Sequence, residues 1–252
     1  MSKPYYADDL VTIYHLDFRD VAASVAPSVT IADPPYGQTS LEWDRWPAGW
    51  PEDIPGASMW VFGTLRMFMD HEADFATTLA FVPAWKLSQD IVWEKHNGSS
   101  LAADRFSRVH ESIAHFYRGQ WQDIFRKVQT TPDATARTVR RKALPPQHQG
   151  ARGPSAYASV DGGPRLQRSV IQVRSTHGYA ENETQKPLGI IAPLIGYSCA
   201  PGGLVFDPFM GSGSVLVAAK ASGFRAVGCD VRESQCEIAA RRCSQEVLGL
   251  GA

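Results

Sequence analysis

Strands and helices alternate along most of this 252-residue chain, which predicts an α/β fold with a doubly wound, mostly parallel sheet. Three observations support this prediction: short apolar runs of strand length, intervening stretches with helical spacing, and a glycine turn that follows a strand. Hydrophobic residues make up 44% and charged residues 20%, a balance typical of a globular protein with one core. We therefore expect a single domain over residues 1–252, with a small insertion.

The predicted elements fall into two groups along the chain. The first group contains strands at residues 10–16, 29–32, 59–62, 90–94 and 112–117, with a helical pattern over 64–74. We expect the last two of these strands to pair. The second group contains a helix over 187–197, a strand at 204–206, a helix over 215–221, a strand at 225–229 and a helix over 233–247.

Cysteine usage and apolar stretches indicate the cellular setting. The four cysteines form no C-x-x-C pair and lie on core-like or helical segments, so we expect buried reduced thiols: Cys199, Cys229, Cys236 and Cys243. The N-terminus has no apolar signal region. Residues 187–206 carry no formal charge, but Pro193, Pro201 and two glycines interrupt them. We expect a cytoplasmic protein without a membrane span.

The sequence Asp33-Pro34-Pro35-Tyr36 directly follows the predicted strand at 29–32. A carboxylate at a strand end can accept one hydrogen of an exocyclic amino group, and the next backbone carbonyl can accept the other. The two prolines fix φ and hold the Pro34 carbonyl in place. Tyr36 offers a face on which an extruded base can stack. The pattern indicates a site for a planar amine, and the alternative is a rigid turn after a strand.

The second chemical pattern is a glycine turn between a strand and a helix, Phe206-Asp207-Pro208-Phe209-Met210-Gly211-Ser212-Gly213-Ser214. Such a turn lets a ligand approach the backbone at the carboxyl end of a strand. Asp230 ends the next strand, 19 residues after Gly211. An acid at this position would bind the two ribose hydroxyls of an adenosine. The turn lacks the Gly-Lys-Ser/Thr of a phosphate loop and the third spaced glycine of a dinucleotide site. An adenosine cofactor without a pyrophosphate fits best, and the alternative is a turn that only packs helix on strand.

Together the two motifs resemble those of the S-adenosylmethionine-dependent amino-methyltransferases of DNA. In that family D-P-P-Y is the catalytic motif, and a turn of the F-x-G-x-G type holds the methyl donor. Here the catalytic motif precedes the donor motif by about 170 residues, an order similar to the circularly permuted beta group. This order argues against protein glutamine methyltransferases, which carry a similar motif after the cofactor loop. The resemblance implies a seven-stranded sheet with one antiparallel strand near an edge.

Weaker matches extend the resemblance over residues 8–118 and 177–247. Residues 91–97 and 108–116 resemble two adjacent strand regions of the family. Residues 184–187 resemble the segment before the helix that covers the donor's methionine moiety.

The resemblance implies a role for each matching residue. Asp33 and the Pro34 carbonyl would hold both amino hydrogens, which frees the lone pair for in-line attack on the donor methyl without a covalent intermediate. Tyr36 would stack on the base, and Pro35 would stiffen the turn. The residues expected to bind the donor are Asp207, Pro208, Phe209, Gly211 and Gly213 at its methionine end, Asp230 at its ribose, Thr184 and Lys186 at its carboxylate, and Asp17 beside its adenine. For the last three, a surface or capping role is the alternative.

Residues 122–176 form a basic segment that we interpret as an inserted target-recognition region. The segment contains ten basic and three acidic residues, a net formal charge of +7. Because the whole chain carries -1, the rest of it carries -8. Such asymmetry is typical of a surface that faces phosphates. Its composition suggests flexibility, and a solvated linker is the alternative. The residues predicted to contact DNA are Arg137, Arg140, Arg141 and Lys142.

Two further patterns have structural interpretations. His110 and His115 resemble a zinc helix, but the second histidine falls one residue late and the segment reads as a strand, so we expect no metal there. Trp43, Trp46 and Trp50 follow the catalytic motif, and we expect them to pack a covering loop rather than stack on DNA.

The sequence thus predicts an enzyme that transfers the methyl group of S-adenosylmethionine to the N6 amino group of adenine in DNA. Asp in the first motif position is commoner in the adenine enzymes of the family, whereas Ser leans to cytosine. A cytosine-N4 enzyme, a catalytically inactive DNA-binding relative and an RNA methyltransferase are the alternatives. A homodimer, a partner restriction endonuclease and the recognition sequence are left open.

Overall fold

A computed structural model of the chain describes residues 3–76, 84–99, 104, 106–141, 153–176 and 185–245. Its strands are β1 (Tyr6–Ala7), β2 (Val11–His15), β3 (Val29–Ala32), β4 (Ser58–Gly63), β5 (Lys86–Ser99), β6 (Arg108–Tyr117), β7 (Thr130–Thr131), β8 (Arg137–Arg141), β9 (Ser155–Ser159), β10 (Arg165–Leu166), β11 (Val170–Gln172), β12 (Leu204–Asp207) and β13 (Arg225–Asp230). Its α-helices are α1 (Phe18–Ala22), α2 (Trp50–Asp53), α3 (Leu65–Asp70), α4 (Glu72–Ala76), α5 (Leu188–Ser198), α6 (Ser214–Ala221) and α7 (Glu233–Ser244). The chain divides into two compact units, Met1–Lys127 with Ser169–Ala252, and Val128–Arg168.

The larger unit contains one mixed sheet with the strand order β1-β2-β13-β12-β3-β4-β6-β5-β11. Strands β2, β13, β12, β3 and β4 run parallel, and β6 lies antiparallel between β4 and β5. The α/β prediction is confirmed, but the edge strand β1 also runs antiparallel to its neighbour β2, so the described sheet has two antiparallel strands where one was expected. The count of seven strands is wrong, because the short edge strands β1 and β11 bring the described sheet to nine. At 2 and 3 residues they are too short for a detectable apolar pattern.

Helices cover both faces of this sheet, as expected for a doubly wound fold. Side chains alternate along a strand, so Trp60 of β4 packs into the cluster formed with α5, α6 and α7. Its neighbours Met59 and Val61 pack into the opposite cluster with α1 to α4. Both faces of β3 and β4 are therefore buried, which explains their continuous apolar sequences.

Most predicted elements lie within a few residues of the observed ones. Strand β3 has the predicted bounds, whereas β5 extends beyond the predicted 90–94 because it pairs with β6 along most of its length. The single helix predicted over 64–74 divides at His71 into α3 and α4, and Thr64 caps α3 by accepting the Met67 N–H at 3.0 Å. The four cysteines are free and buried, as predicted. In the described part of the chain, no helix is long and apolar enough to cross a membrane.

The smaller unit, Val128–Arg168, covers a shorter stretch of sequence than the predicted insertion 122–176 and falls within it. Its described residues form two antiparallel pairs, β7 with β10 and β8 with β9. Asp161 accepts the Ala136 N–H at 2.6 Å, and the Ser159 hydroxyl donates to the Thr135 carbonyl at 2.6 Å. These bonds fix the start of the β8–β9 ribbon, so the paired strands differ from the flexible segment that composition suggested.

Candidate active site

The predicted motifs meet in one cavity of about 500 Å³ at the carboxyl ends of β3, β12 and β13. Strand β3 leads into the Asp33–Tyr36 turn, β12 leads into the glycine turn, and β13 ends at Asp230. The helix after β12 packs on one face of the sheet and those after β3 pack on the other. Ligands bind doubly wound sheets at such a switch in helix direction.

The turn Asp33–Tyr36 is called the catalytic turn after the family motif that it resembles. Both carboxylate oxygens of its Asp33 accept a hydrogen bond. The Tyr36 hydroxyl donates to Asp33 Oδ1 at 2.8 Å, and Lys186 Nζ donates to Asp33 Oδ2 at 2.6 Å. Burial and the charge of Asp33 raise the pKa of Tyr36 well above its usual value, so Tyr36 remains a neutral donor. The turn therefore presents a carboxylate that two donors orient.

Lys186 joins the catalytic turn to the rest of the cavity. Its side chain is only 11% exposed, and its ammonium also lies 3.5 Å from Glu111 Oε2. Burial opposes its charge, but Asp33 and Glu111 outweigh that effect and raise the pKa of Lys186 above its usual value. The contact predicted between Lys186 and the donor's carboxylate stays a prediction, since the observed partners of this ammonium are protein carboxylates.

Glu111 is a site residue that the sequence analysis did not assign. It lies on β6, and its Oε1 atom forms an ion pair with Lys95 of β5. The two lysines outweigh burial and lower the pKa of Glu111, so it is ionised. Lys95, Glu111, Lys186 and Asp33 thus form a chain of alternating charges along the cavity wall. The only signal in the sequence was the resemblance of residues 108–111 to a family strand.

The glycine turn is shaped by its own carboxylates. Gly211 N–H donates to Asp230 Oδ2 at 3.1 Å, and Phe209 N–H donates to Asp207 Oδ1 at 3.1 Å. Gly211 and Gly213 have φ of 48° and 77°, in the left-handed region that favours glycine. A Cβ on Gly213 would lie 2.8 Å from the Cβ of Ala239 on α7. The turn therefore depends on glycine for both its backbone conformation and its packing.

The cavity favours a cationic ligand end. Asp33, Asp207 and Asp230 all line it, and burial together with the other two acids raises the pKa of Asp207 well above its usual value. A positive ligand group near these acids would relieve their repulsion, whereas a phosphate would increase it. Phe18 and Phe209, with ring centroids 5.2 Å apart, add an apolar wall. These residues fit S-adenosylmethionine, which combines a sulfonium and an ammonium with a flat base.

The weaker predicted donor contacts have separate outcomes. Asp17 lines the cavity and also caps α1, because its Oδ1 accepts the Arg19 N–H at 2.9 Å. Its contact with adenine stays a prediction. Pro208 lines the cavity beside Asp207, whereas Thr184 lies outside the described residues.

The loop after the catalytic turn is held by Asp44, a second residue that the sequence analysis missed. Its carboxylate accepts the N–H groups of Gly37, Gln38 and Thr39 at 2.9, 3.0 and 2.8 Å. These bonds lower the pKa of Asp44 although burial opposes the shift. A carboxylate that collects consecutive amides fixes the loop directly beyond Tyr36.

The three tryptophans of this loop differ in exposure. Trp50 is fully buried, and Trp46 stacks on His71 with ring centroids 3.9 Å apart, which confirms the packing prediction for both. Trp43 is 42% exposed and lines the cavity, with the Arg232 guanidinium 5.2 Å from its ring centroid. Trp43 is thus not part of the buried core, and the choice between packing the loop and stacking on DNA stays a prediction for it.

The predicted strand around His110 and His115 is confirmed as β6. Five positions separate the two histidines, so they point to opposite faces of the strand. His115 is buried and contacts the hydroxyls of Ser58 and Ser88 at 2.9 and 2.5 Å. Burial lowers its pKa to about 4, which keeps the ring neutral at physiological pH.

The predicted DNA contacts lie on the β8–β9 ribbon of the smaller unit. Arg137, Arg140 and Arg141 are exposed, and strand alternation places Arg137 and Arg141 on one face and Arg140 on the other. Tyr157 pairs with Val139 on the same face as Arg137 and is 53% exposed. Lys142 lies outside the described residues.

The fold and cavity define a class of protein, a doubly wound α/β protein with a carboxylate-lined cavity beside the Asp33–Tyr36 turn. A family model described as DNA methylase, covering N6 and N4 enzymes, matches residues 28–241. The chain belongs to this family of S-adenosylmethionine-dependent DNA amino-methyltransferases. The resemblance stated from the motifs and the choice of methyl donor are confirmed.

Individual relatives agree with this assignment. The Type II methyltransferase M1.MboII of Moraxella bovis is 25% identical over 230 residues, which cover 85% of this chain and 88% of that protein. The M1.HpyAVI–SAM complex has a TM-score of 0.60 at 20% identity, covering 92% of this chain and 100% of that one. The cytosine-N4-specific PvuII DNA methyltransferase has a TM-score of 0.64 at 12% identity, covering 98% of this chain and 90% of that one. At these identities the solved structures show a shared fold.

Proposed function

We propose that this protein transfers the methyl group of S-adenosylmethionine to the N6 amino group of adenine in duplex DNA. The observation that carries the proposal is the Asp33 carboxylate, which two donors orient and which lines the same cavity as Asp207 and Asp230. An amine acceptor and a site for a cationic donor are thus adjacent. Asp in the first motif position supports adenine over cytosine.

The proposed chemistry depends on hydrogen bonding at the catalytic turn. Asp33 accepts one hydrogen of the target amino group, and the Pro34 carbonyl accepts the other. Positive charge grows on the amino nitrogen as its bond to the methyl carbon forms, and the Asp33 carboxylate stabilises that charge. The donor, when bound, would supply an electrophilic methyl group whose bond to sulfur breaks as the bond to nitrogen forms, leaving a neutral thioether. The methylated nitrogen then loses one proton, for which Asp33 is the adjacent acceptor. Tyr36 supports the base with its ring and orients Asp33 with its hydroxyl.

Donor binding is assigned to the turns after β12 and β13. Asp207 and the glycine turn face the cationic methionine end, and Asp230 accepts from the ribose hydroxyls. Pro208 and Phe209 contribute apolar contact, and Asp17 lies beside the adenine. The assignment is supported by the lining of the cavity, which includes Asp17, Asp207, Pro208, Phe209, Gly211 and Asp230, whereas Gly213 supports the turn from behind against α7.

DNA binding is assigned to the β8–β9 ribbon. A two-stranded ribbon has the width that the major groove of B-form DNA admits. Arg137 and Arg141 on one face, with Tyr157 between them across the ribbon, offer both phosphate and base contacts. We also infer the circularly permuted beta order and a role in restriction–modification with a partner endonuclease. The motif order and the Type II name of the Moraxella bovis relative support these inferences.

The function is tested by following a radiolabelled methyl group from S-adenosylmethionine. Unmethylated plasmid DNA, total RNA and the protein alone serve as acceptors in parallel reactions. We expect label only in the DNA, and none with the Asp33→Ala variant. Asp90→Asn, which changes an exposed acid on β5, should retain wild-type transfer. Label in RNA alone, or undiminished transfer by Asp33→Ala, would contradict the proposal.

A further inference from the structure

Lys186 holds the oxygen of Asp33 that the Tyr36 hydroxyl leaves free. Its ammonium lies 2.6 Å from Asp33 Oδ2, while Tyr36 occupies Oδ1. A cation in this position opposes the positive charge that grows on the target nitrogen, and it competes for the same carboxylate. Because the Lys186 side chain is only 11% exposed, water solvates its ammonium poorly where it lies, so an ammonium that leaves Asp33 and stays in the cavity wall needs another buried partner.

Glu111 offers that partner. Its Oε2 atom is buried, and in the described part of the chain it has no hydrogen-bond partner. Lys186 Nζ lies 3.5 Å away, which is close enough for charge attraction but too long for a charge-assisted hydrogen bond. A movement of roughly 0.7 Å would bring the two atoms to hydrogen-bond distance. A buried carboxylate oxygen that accepts no hydrogen bond is costly, so such a movement would be favourable at Glu111.

We propose that Glu111 is a positioning residue, which takes over the Lys186 ammonium from Asp33 when the target base enters. The proposal rests on the proposed function, since it needs Asp33 as the acceptor of an amino hydrogen. Lys95 holds the other oxygen of Glu111 and so keeps Oε2 facing Lys186. Two lysines and two carboxylates participate, so the exchange leaves the net charge of the cavity wall unchanged.

A double-mutant cycle between Glu111→Gln and Lys186→Gln tests the exchange. With saturating donor, Glu111→Gln should lower kcat by about 10-fold to 100-fold, since a neutral amide holds the ammonium less well than a carboxylate. Donor Kd, measured by calorimetry, should change less than about twofold because Glu111 acts through Lys186. In the Lys186→Gln background, the same Glu111 change should alter kcat less than about threefold, because no ammonium remains to be moved.

Two outcomes would overturn the proposal: a wild-type kcat for Glu111→Gln, or an equal loss of kcat in both backgrounds. The equal loss would mean that Glu111 only supports the fold. If Glu111→Gln does not fold, Glu111→Asp keeps the charge but shortens the reach, and a wild-type kcat for it would contradict the proposal equally. Asp90→Asn is the matched control and should retain wild-type kcat. Failure of the proposed function would instead appear as undiminished turnover by Asp33→Ala.

Discussion

Lys186 Nζ lies 2.6 Å from Asp33 Oδ2, although 153 positions separate the two residues in the chain. Asp33 follows β3, and Lys186 lies two residues before α5, whose residues pack in the cluster on one face of the sheet. The ion pair therefore fixes the catalytic turn relative to the segment before α5. Because both partners are largely buried, its energy is less screened than that of a surface pair.

Asp33→Ala should abolish methyl transfer while donor binding persists. The carboxylate faces the charge that develops on the target nitrogen, so we expect kcat to fall at least about 100-fold. Donor Kd from calorimetry should remain within about threefold of wild type, since Asp207 and Asp230 are unchanged. Substantial turnover by this variant would show that another group holds the amine.

Asp230→Ala should weaken the binding of S-adenosylmethionine. The change removes the proposed ribose acceptor and also the acceptor for Gly211 N–H, so we expect a cost of about 1.5–3 kcal/mol. Asp53→Ala, which changes a partly exposed acid on α2, is the control and should bind the donor normally. Unchanged calorimetric affinity for Asp230→Ala would place the ribose elsewhere.

Gly213→Ala should destabilise the fold more than Gly223→Ala, although both glycines have positive φ. A Cβ at Gly213 would lie 2.8 Å from the Cβ of Ala239, whereas a Cβ at Gly223 would meet nothing within 4 Å. We expect a loss of about 1 kcal/mol for Gly223→Ala from backbone strain alone, and about 2–4 kcal/mol for Gly213→Ala. Urea unfolding measures both, and equal losses would mean that the contact with α7 relaxes freely.

His115 should make stability depend on pH in the acid range. Burial lowers the pKa of its imidazole from 6.5 to about 4, so the unfolded chain binds a proton in this interval that the folded chain does not. The contribution of the neutral His115 to the free energy of unfolding is therefore fully present above pH 6.5. It is lost as the pH falls toward 4, by up to about 3 kcal/mol. His115→Gln should reduce this slope in urea unfolding measured between these pH values. An unchanged slope would assign the acid sensitivity to other groups.

Replacing Arg137, Arg140 and Arg141 with Ala should weaken DNA binding and leave donor affinity unchanged. If each side chain meets a phosphate, the slope of log affinity against log salt should become shallower by about 0.9 per contact. Arg66→Ala on α3 removes one exposed charge elsewhere and serves as the control. An unchanged slope on duplex DNA would remove the ribbon from the binding surface.

The sequence predicted the parts of the fold that local patterns encode. Strand β3 is fully buried with three apolar residues of its four, and Asp33 and two prolines follow it, so its bounds could be predicted to the residue. Both turns of the site follow buried strands, and the glycine and proline patterns indicate where these turns begin. Strands β1 and β11 have no such pattern, because pairing with a neighbour defines them.

The residues that were missed act through distant contacts. Glu111 gains its role from Lys95 across the β5–β6 pair and from Lys186, which is remote in sequence. Asp44 gains its role from three amides of a loop whose path no local pattern specifies. Trp43 differs from Trp46 and Trp50 only in where the loop places it. Residue type and spacing cannot encode these relationships, since each depends on the folded path of another segment.

The identity of the methylated nucleoside tests the proposed function most directly. Unmethylated plasmid DNA is incubated with the protein and a donor carrying a deuterated methyl group, then digested to nucleosides and analysed by mass spectrometry. We expect the label in N6-methyldeoxyadenosine and its absence from the Asp33→Ala reaction. Label in N4-methyldeoxycytidine, or no labelled nucleoside with the wild-type protein, would contradict transfer to adenine at this site.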